Sequence, residues 1–168
     1  MADELSIRRY EPEDAEAVWA VHERALRASP IDFVENVPGD EDLRAIPEEY
    51  LDAGGEFLVG TVSGEVVAIG GYQPTGDGVA DDGTTDDSVA ELRRMRVHPD
   101  HQRNGYGETL LTRLESLAAE RGFDRVVLET NEHLTAARTL YETRGFEQFE
   151  TATHPESGEQ VVRYRKEL

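Results

Sequence analysis

Two glycines mark the part of this chain whose residue types and spacing most clearly suggest chemistry. Gly105 and Gly107 are separated by one residue and stand directly before a leucine-rich stretch. Glycine has no Cβ, so a backbone that contains it can approach a phosphate group closely. The free amides at the start of a helix also favour anions. The pattern therefore predicts a phosphate-binding loop, and the surrounding residues must decide which phosphate compound it binds.

Two common phosphate-binding motifs fit the segment "HPDHQRNGYGETLL" poorly. The Walker motif requires a lysine and a Ser or Thr after the second glycine of GxxxxGK[ST], and this segment contains no lysine. A dinucleotide-binding fingerprint requires GxGxxG directly after a strand. Leu110 occupies the third glycine position, and the residues "HPDHQRN" separate the strand that ends near Val97 from Gly105. A nucleotide-binding α/β protein therefore remains only as an alternative.

A third interpretation comes from the longer segment "ELRRMRVHPDHQRNGYGETLL", which resembles the core motif of the GNAT N-acetyltransferase superfamily. That motif consists of a strand with an apolar-x-Val pattern, a proline, Gln/Arg-x-x-Gly-x-Gly/Ala and a helix. Gln102, Gly105 and Gly107 occupy its three defining positions. The segment "AARTLYETRGF" resembles a second family motif through Ala137, Leu140, Tyr141, Gly145 and Phe146. The two motifs stand in the family's order, and the resemblance covers nearly the whole chain.

The resemblance implies that acetyl-CoA is the co-substrate and that no metal is needed. Its diphosphate is expected at the loop and the first helical turn, where amides and an arginine can bind phosphate oxygens. The residues implied there are Arg103, Asn104, Gly105, Tyr106, Gly107 and Glu108.

The rest of the cofactor is expected along the preceding strand and the later helix. The pantetheine arm would pair with the backbone of Met95, Arg96 and Val97, as an added strand does. Relatives often carry an asparagine where this chain has Leu134, and Asn131 is the candidate that could substitute for it. The remaining cofactor-binding residues that the resemblance implies are Gln102, Ala137 and Tyr141.

Apolar residues in "VAELRRMRVHP" break the alternation of a regular strand. Leu92 and Met95 would lie on opposite faces, because successive side chains alternate. One extra residue between them restores the pattern, which predicts a β-bulge around Arg93, Arg94 and Met95. The alternative is an amphipathic strand without a bulge. In the family, a backbone N–H freed at such a bulge, here that of Met95, would stabilise the oxyanion that forms when a thioester is attacked.

Two side chains are candidates for the proton transfers that acetylation of an amine requires. The resemblance places Tyr141 as the general acid toward the coenzyme A thiolate and Glu91 as the general base that deprotonates the amine. Tyr141 also shares a helix face with apolar residues, so the alternative is a core aromatic side chain. The alternative for Glu91 is one more surface carboxylate. We interpret His98 and His101, which flank a proline turn, as solvated side chains rather than metal ligands.

The charge of the chain limits its partners and its setting. The 168 residues include 36 acidic and 17 basic side chains, which give a net charge of −19, and Lys166 is the sole lysine. Such a composition indicates adaptation to molar salt, where charges are screened over about 3 Å; a merely acidic protein is the alternative. Nucleic-acid binding is not expected, because it requires a basic patch. The absence of cysteine excludes thiol catalysis and disulfides.

The succession of elements predicts a single domain over residues 1–168, of the α/β class and α+β type. The predicted order is β, α, α, β, β, β, α, β, α, β, β. With the resemblance, it implies the GNAT acyl-CoA N-acyltransferase fold, a mixed and mostly antiparallel sheet with helices on both faces. A weak helical pattern covers residues 40–53, and a glycine- and aspartate-rich loop covers residues 76–87. Because no apolar segment reaches the length of a membrane span, we expect a cytoplasmic protein without membrane contact.

The sequence therefore predicts an N-acetyltransferase that transfers the acetyl group of acetyl-CoA to a primary amine of a small molecule or a peptide. The alternative is a non-catalytic acyl-CoA-binding sensor with the same fold. The acids of the 76–87 loop could attract a cationic acceptor, although a solvated loop is the alternative. Members of the family often form homodimers, and the sequence indicates no interface for one.

Overall fold

The computed structural model describes residues 4–28, 38–74, 88–153 and 158–168. Within these ranges the strands are β1 (Ser6–Arg9), β2 (Glu56–Val62), β3 (Glu65–Pro74), β4 (Val89–Val97), β5 (Arg125–Asn131), β6 (Glu147–Thr153) and β7 (Gln160–Glu167). The α-helices are α1 (Ala15–Arg27), α2 (Tyr106–Glu120) and α3 (Thr135–Thr143). The predicted 76–87 loop and most of the predicted turn before β7 lie outside the described residues.

The strands form one sheet in the order β1-β2-β3-β4-β5-β7-β6. The central pair, β4 and β5, is parallel, and each of the other neighbouring pairs is antiparallel. The prediction of a mixed, mostly antiparallel sheet is confirmed. The parallel pair requires a crossover, which α2 supplies between the two strands.

Helices pack on both faces of the sheet, as predicted. Alternation of side chains along β2 and β3 sends Leu58 and Ala68 to one face, and Val59 and Ile69 to the other. The first face is covered by α2 and α3, whose apolar residues complete the larger core. The second face is covered by α1 and by apolar side chains from residues 43–51. In the described ranges, no helix has both the length and the apolar composition that a membrane crossing requires.

The prediction of one helix over residues 40–53 is wrong. The chain instead makes a 3-10 segment at Pro38–Arg44 and a single wide helical turn at Pro47–Leu51. Pro47 explains the interruption, since proline lacks the N–H for a helical hydrogen bond and its ring clashes with the preceding turn. The predicted stop is confirmed, because Gly54 ends this region in a left-handed conformation with φ of 91°.

Candidate active site

A cleft opens where β4 and β5 separate. The two strands pair from Val89 to Leu92 on β4, opposite Arg125 to Leu128 on β5, and β4 then runs on to Val97 beyond the last described partner. The space between them has a volume of about 790 Å³. Its wall contains twelve of the residues predicted from the sequence: Glu91, Met95, Arg96, Val97, Gln102, Arg103, Gly105, Tyr106, Gly107, Glu108, Ala137 and Tyr141.

The predicted β-bulge lies at the point of separation. On the neighbouring strand β3, Ile69 is opposite Arg96 and Gly71 is opposite Arg93. Two residues of β4, Arg94 and Met95, therefore lie opposite a single residue of β3, Gly70. Two residues on one strand opposite one on its neighbour define a bulge. Arg94 has a left-handed φ of 62°. The bulge prediction is confirmed, and the local ladder is disrupted beside the cleft.

Gly70 is the β3 residue opposite this bulge, and the sequence analysis missed it. A Cβ on Gly70 would collide with the sulfur of Met95 and would lie 3.2 Å from Cδ1 of Leu114. The missing side chain gives Met95 room to pack between the sheet and α2. The signal in the sequence was the Gly70-Gly71 pair within an otherwise apolar strand, because an isolated glycine in a strand often marks a bulge or a close approach.

The loop before α2 is fixed to the end of β4. The side-chain amide of Gln102 donates a hydrogen bond to the carbonyl oxygen of Val97, at 3.0 Å. Gly105 caps the helix with a φ of 78°. The amides of the first helical turn have no helical acceptor, and residues of that turn line the cleft. This arrangement can bind an anion at the positive end of the α2 dipole.

Gly107 has no packing partner that would require glycine. A Cβ there would lie 3.5 Å from Cδ2 of Leu140 and 3.7 Å from Cγ2 of Val97, which are ordinary contact distances. Its φ is not among the positive values of the described residues. Within the described part of the chain, neither crowding nor backbone conformation explains this glycine.

Tyr141 lies on α3 with its side chain buried and in the cleft wall. Its ring packs against Phe146 and Tyr164, with centroid distances of 5.6 and 6.1 Å. Burial raises the pKa of its hydroxyl to about 12, against a smaller lowering by the charge of Arg96. The hydroxyl therefore keeps its proton at neutral pH. The two roles considered for Tyr141, general acid and core aromatic side chain, do not exclude each other, since the residue packs in the core and also lines the cleft.

Glu91 lies on β4 in the same wall, half-buried. Burial raises the pKa of this carboxyl, and the negative charge of Glu129 on β5 adds to the effect. The positive charges of Arg93, Arg94 and Arg163 oppose the rise. A carboxylate with a raised pKa is a stronger base than an exposed one, and this sets Glu91 apart from the surface acids.

Two predicted residues, Asn104 and Asn131, are not in the cleft wall. The amide of Asn104 donates to the carbonyl oxygen of His101 at 3.0 Å. Asn131 is buried, its amide donates to Glu159, and its oxygen accepts from the backbone N–H of His133 at 2.8 Å. Both side chains stabilise the turns that contain them. Asn131 therefore does not supply a side-chain amide to the cleft in place of Leu134, which lines the wall.

The histidines of the proline turn bind protein groups. Nδ1 of His98 accepts a hydrogen bond from the backbone N–H of Asp100 at 3.1 Å, and the ring of His101 packs against that of Tyr106. Across the described ranges there is no cluster of three or more side chains suited to hold a metal ion.

Comparisons with known proteins agree with this geometry. The sequence pattern of the acetyltransferase (GNAT) family matches residues 15–146. The N-acetyltransferase YjgM of Escherichia coli K12 is 32% identical over 113 residues, which cover 67% of this chain and 64% of YjgM. N-acetylaspartate synthetase of Xenopus tropicalis is 31% identical over 114 residues, 67% of this chain and 39% of that protein. The chain thus matches less than two thirds of the length of either relative.

Solved structures share the fold. The structure of yncA from Salmonella typhimurium, determined with its cofactor acetyl-CoA, superposes with a TM-score of 0.77 at 21% identity and covers 98% of this chain and 94% of that one. The sheet order, the separated central strands and the family match over most of the residues lead to one assignment. This chain belongs to the GNAT family of acetyltransferases.

Proposed function

We propose that this chain transfers the acetyl group of acetyl-CoA to a primary amine by direct attack on the thioester. The observation that carries the proposal is the opening between β4 and β5, with a bulge at one end and the start of α2 at the other. A long, thin ligand with a phosphate group and a reactive thioester fits such a cleft. The cofactor bound in yncA and the family assignment support the same ligand.

The diphosphate binds at the amides of the α2 start, with Arg103 as an added positive charge. The unexplained glycine at position 107 supports this location, because a phosphate needs space that a side chain would occupy. The pantetheine arm pairs with the exposed edge of β4 at Met95, Arg96 and Val97. Gln102 holds the loop against that edge through its bond to Val97.

The chemical step occurs at the bulge. The amine nitrogen attacks the thioester carbon, and the carbonyl electrons move to the oxygen, which the N–H of Met95 stabilises. Collapse of this intermediate breaks the carbon–sulfur bond and forms the amide. Tyr141 donates its proton to the departing sulfur, and Glu91 takes the proton that the amine loses, directly or through water.

Three further parts of the proposal rest on sequence rather than on the site. The chain is a single domain over residues 1–168, which the family match over 15–146 supports. It works in a salt-rich cytoplasm, which the charge of −19 and the near absence of lysine support. A homodimer is the third part, supported by family habit alone, and light scattering in molar KCl tests it directly.

Calorimetry in molar KCl with acetyl-CoA, coenzyme A, ATP and NAD tests the ligand. We expect acetyl-CoA and coenzyme A to bind and ATP and NAD to bind more weakly or not at all. A panel of small-molecule and peptide amines, followed by thiol release, then tests the reaction. Acetyl-CoA binding without turnover on any amine would favour the sensor alternative, and preferred binding of ATP or NAD would contradict the proposal.

A further inference from the structure

Arg94 adopts a backbone conformation that is unfavourable for its residue type. It is the bulged residue of β4, and its φ of 62° lies in the left-handed region. A Cβ comes too close to the following carbonyl oxygen there, so glycine is the usual residue at such positions. The surrounding structure must therefore stabilise a conformation that the backbone of Arg94 disfavours, and the contacts of its side chain are part of that structure.

The side chain of Arg94 makes a two-pronged ion pair with Asp42. Nη2 lies 2.6 Å from Oδ1 and Nε lies 3.1 Å from Oδ2. Both side chains are largely buried, with 12% of Arg94 and 7% of Asp42 exposed. Paired bonds of this kind fix the orientation of a guanidinium and are stronger when shielded from water.

The carboxylate of Asp42 has a further partner besides Arg94. It belongs to the 3-10 segment Pro38–Arg44, and its carboxylate accepts a hydrogen bond from the hydroxyl of Tyr50. Tyr50 is fully buried and packs edge-on against Phe57 of β2, with the ring centroids 5.0 Å apart. Burial by itself would raise the pKa of Asp42, but the bonds and charge of Arg94 hold that pKa below its usual range. Asp42 is therefore ionised at neutral pH.

We infer that Asp42 and Arg94 are positioning residues, which hold the bulge in the register that turns the Met95 N–H toward the thioester. The ion pair runs from the chain after α1 to the residue directly before Met95. It thus fixes the one peptide unit on which the oxyanion contact depends. This inference rests on the proposed acetyl transfer, and it assigns to Asp42 a role in the reaction although Asp42 lies outside the cleft wall.

A direct contact between Arg94 and the substrate is the competing explanation, because Arg94 lines the cleft. The two explanations differ in what glycine does at position 94. Arg94→Ala removes the ion pair but keeps the Cβ that disfavours the left-handed region. Arg94→Gly removes the same ion pair and also the Cβ, so the backbone can keep the bulge conformation unaided.

Steady-state kinetics of three variants separate these explanations. We expect kcat to fall about 10-fold in Asp42→Asn and Arg94→Ala, part of the roughly 10²–10³-fold that one oxyanion donor is worth. We expect Arg94→Gly to recover most of that loss, with KM for the amine unchanged in all three. Equal losses in Arg94→Ala and Arg94→Gly, or a raised KM for the amine in both, would overturn the inference.

The Met95 amide can also be observed without turnover. The sequence contains two methionines, Met1 and Met95, so ¹⁵N-methionine labelling gives a spectrum simple enough to follow the Met95 amide. We expect a single sharp Met95 signal in the wild type and in Arg94→Gly, and a broadened or split signal in Asp42→Asn and Arg94→Ala. A signal of the same shape in all four proteins would contradict the inference.

The Met95 signal distinguishes failure of the proposed acetyl transfer from failure of the inference about Asp42 and Arg94. If the wild type acetylates no amine, the proposed function fails, while the Met95 signal still tests whether the ion pair holds the bulge. If the wild type is active and the variants lose kcat only in proportion to lost folded protein, the ion pair is merely structural and the inference fails. Melting curves measured beside the kinetics supply that comparison.

Discussion

At the scale of single residues, Tyr141 is the clearest test of the proposed chemistry. Tyr141→Phe keeps the ring and its packing but removes the hydroxyl. If the hydroxyl protonates the thiolate, we expect kcat to fall by about 10–10³-fold, while the affinity for acetyl-CoA barely changes. Because the pKa of Tyr141 is about 12, its proton stays in place and its ionisation should cause no loss of activity below about pH 10.

Tyr164 is a matched control for Tyr141. It is also buried, but its hydroxyl is hydrogen-bonded to Arg138 and Glu142, at 3.0 and 2.7 Å. It is not in the cleft wall. Tyr164→Phe should therefore lower the melting temperature and leave kcat close to the wild-type value. If Tyr141→Phe behaves in the same way, Tyr141 is only a core residue.

Glu91 is tested best by its pH dependence. The base must be ionised, so kcat/KM should rise as the pH passes through the pKa of Glu91. Burial and Glu129 raise that pKa, so the rise should lie above the range of an exposed glutamate, about 4.3. In Glu91→Gln this rise should disappear, and the remaining loss should shrink at high pH, where more of the amine is already deprotonated. Equal rates of variant and wild type at every pH would refute the assignment.

Glu129→Gln should lower the pKa of Glu91. It removes a negative charge that raises the pKa of Glu91, and it leaves Arg163 with one carboxylate partner, Glu150 at 2.9 Å, in place of two. Both effects favour the ionised form of Glu91. The rise of kcat/KM should therefore move to lower pH in this variant, and a shift to higher pH would show that another group titrates.

At the scale of elements, the start of α2 should bind the diphosphate through its backbone. Gly105→Val places a branched side chain at this helix start. We expect the affinity for acetyl-CoA to fall about 10-fold or more, equivalent to about 1.4 kcal/mol. Calorimetry in molar KCl measures this, and unchanged affinity would remove the phosphate assignment.

Gly122→Val separates the loss of binding from backbone strain. Gly122 follows the other end of α2, with a φ of 93° compared with 78° at Gly105. At neither position would an added Cβ meet a described atom within 4 Å. The two variants should lose similar stability, because both force a branched residue into the left-handed region. Only Gly105→Val should lose acetyl-CoA affinity.

The bulge shows how far the sequence could predict this site. Its position could be read from Leu92 and Met95, because a broken alternation is a local signal. The Gly70-Gly71 pair was a local signal too, but its place opposite the bulge depends on strand register. The anchor Asp42 could not be predicted, because it lies 52 residues away from Arg94. The helix predicted over residues 40–53 failed at Pro47 for a local reason that the sequence did contain. Local patterns and the family motifs thus predicted the elements, while the contacts between distant elements required the structure.

At the scale of the whole molecule, carboxylates outnumber cations too far for ion pairs to balance them. The chain has 36 acidic and 17 basic residues. Two of the cations, Arg9 and Arg121, both pair with the single buried carboxylate of Glu56 at 2.8 Å, which leaves still fewer cations for the surface carboxylates. The sole lysine, Lys166, pairs with Glu115 at 2.5 Å. Many carboxylates must still repel one another, which destabilises the compact state at low ionic strength.

Salt should therefore stabilise this protein. Raising KCl from about 0.01 M to 1 M shortens the screening length from about 30 Å to about 3 Å, which weakens the repulsion between surface carboxylates. We expect the melting temperature at pH 7.5 to rise steadily over this range. The dependence should be weaker near pH 4.5, the isoelectric point of the sequence, because the net charge vanishes there. A melting temperature that is flat or falls with salt at pH 7.5 would count against adaptation to molar salt. An equal rise at both pH values would attribute the stabilisation to exclusion of salt from the protein surface rather than to charge screening.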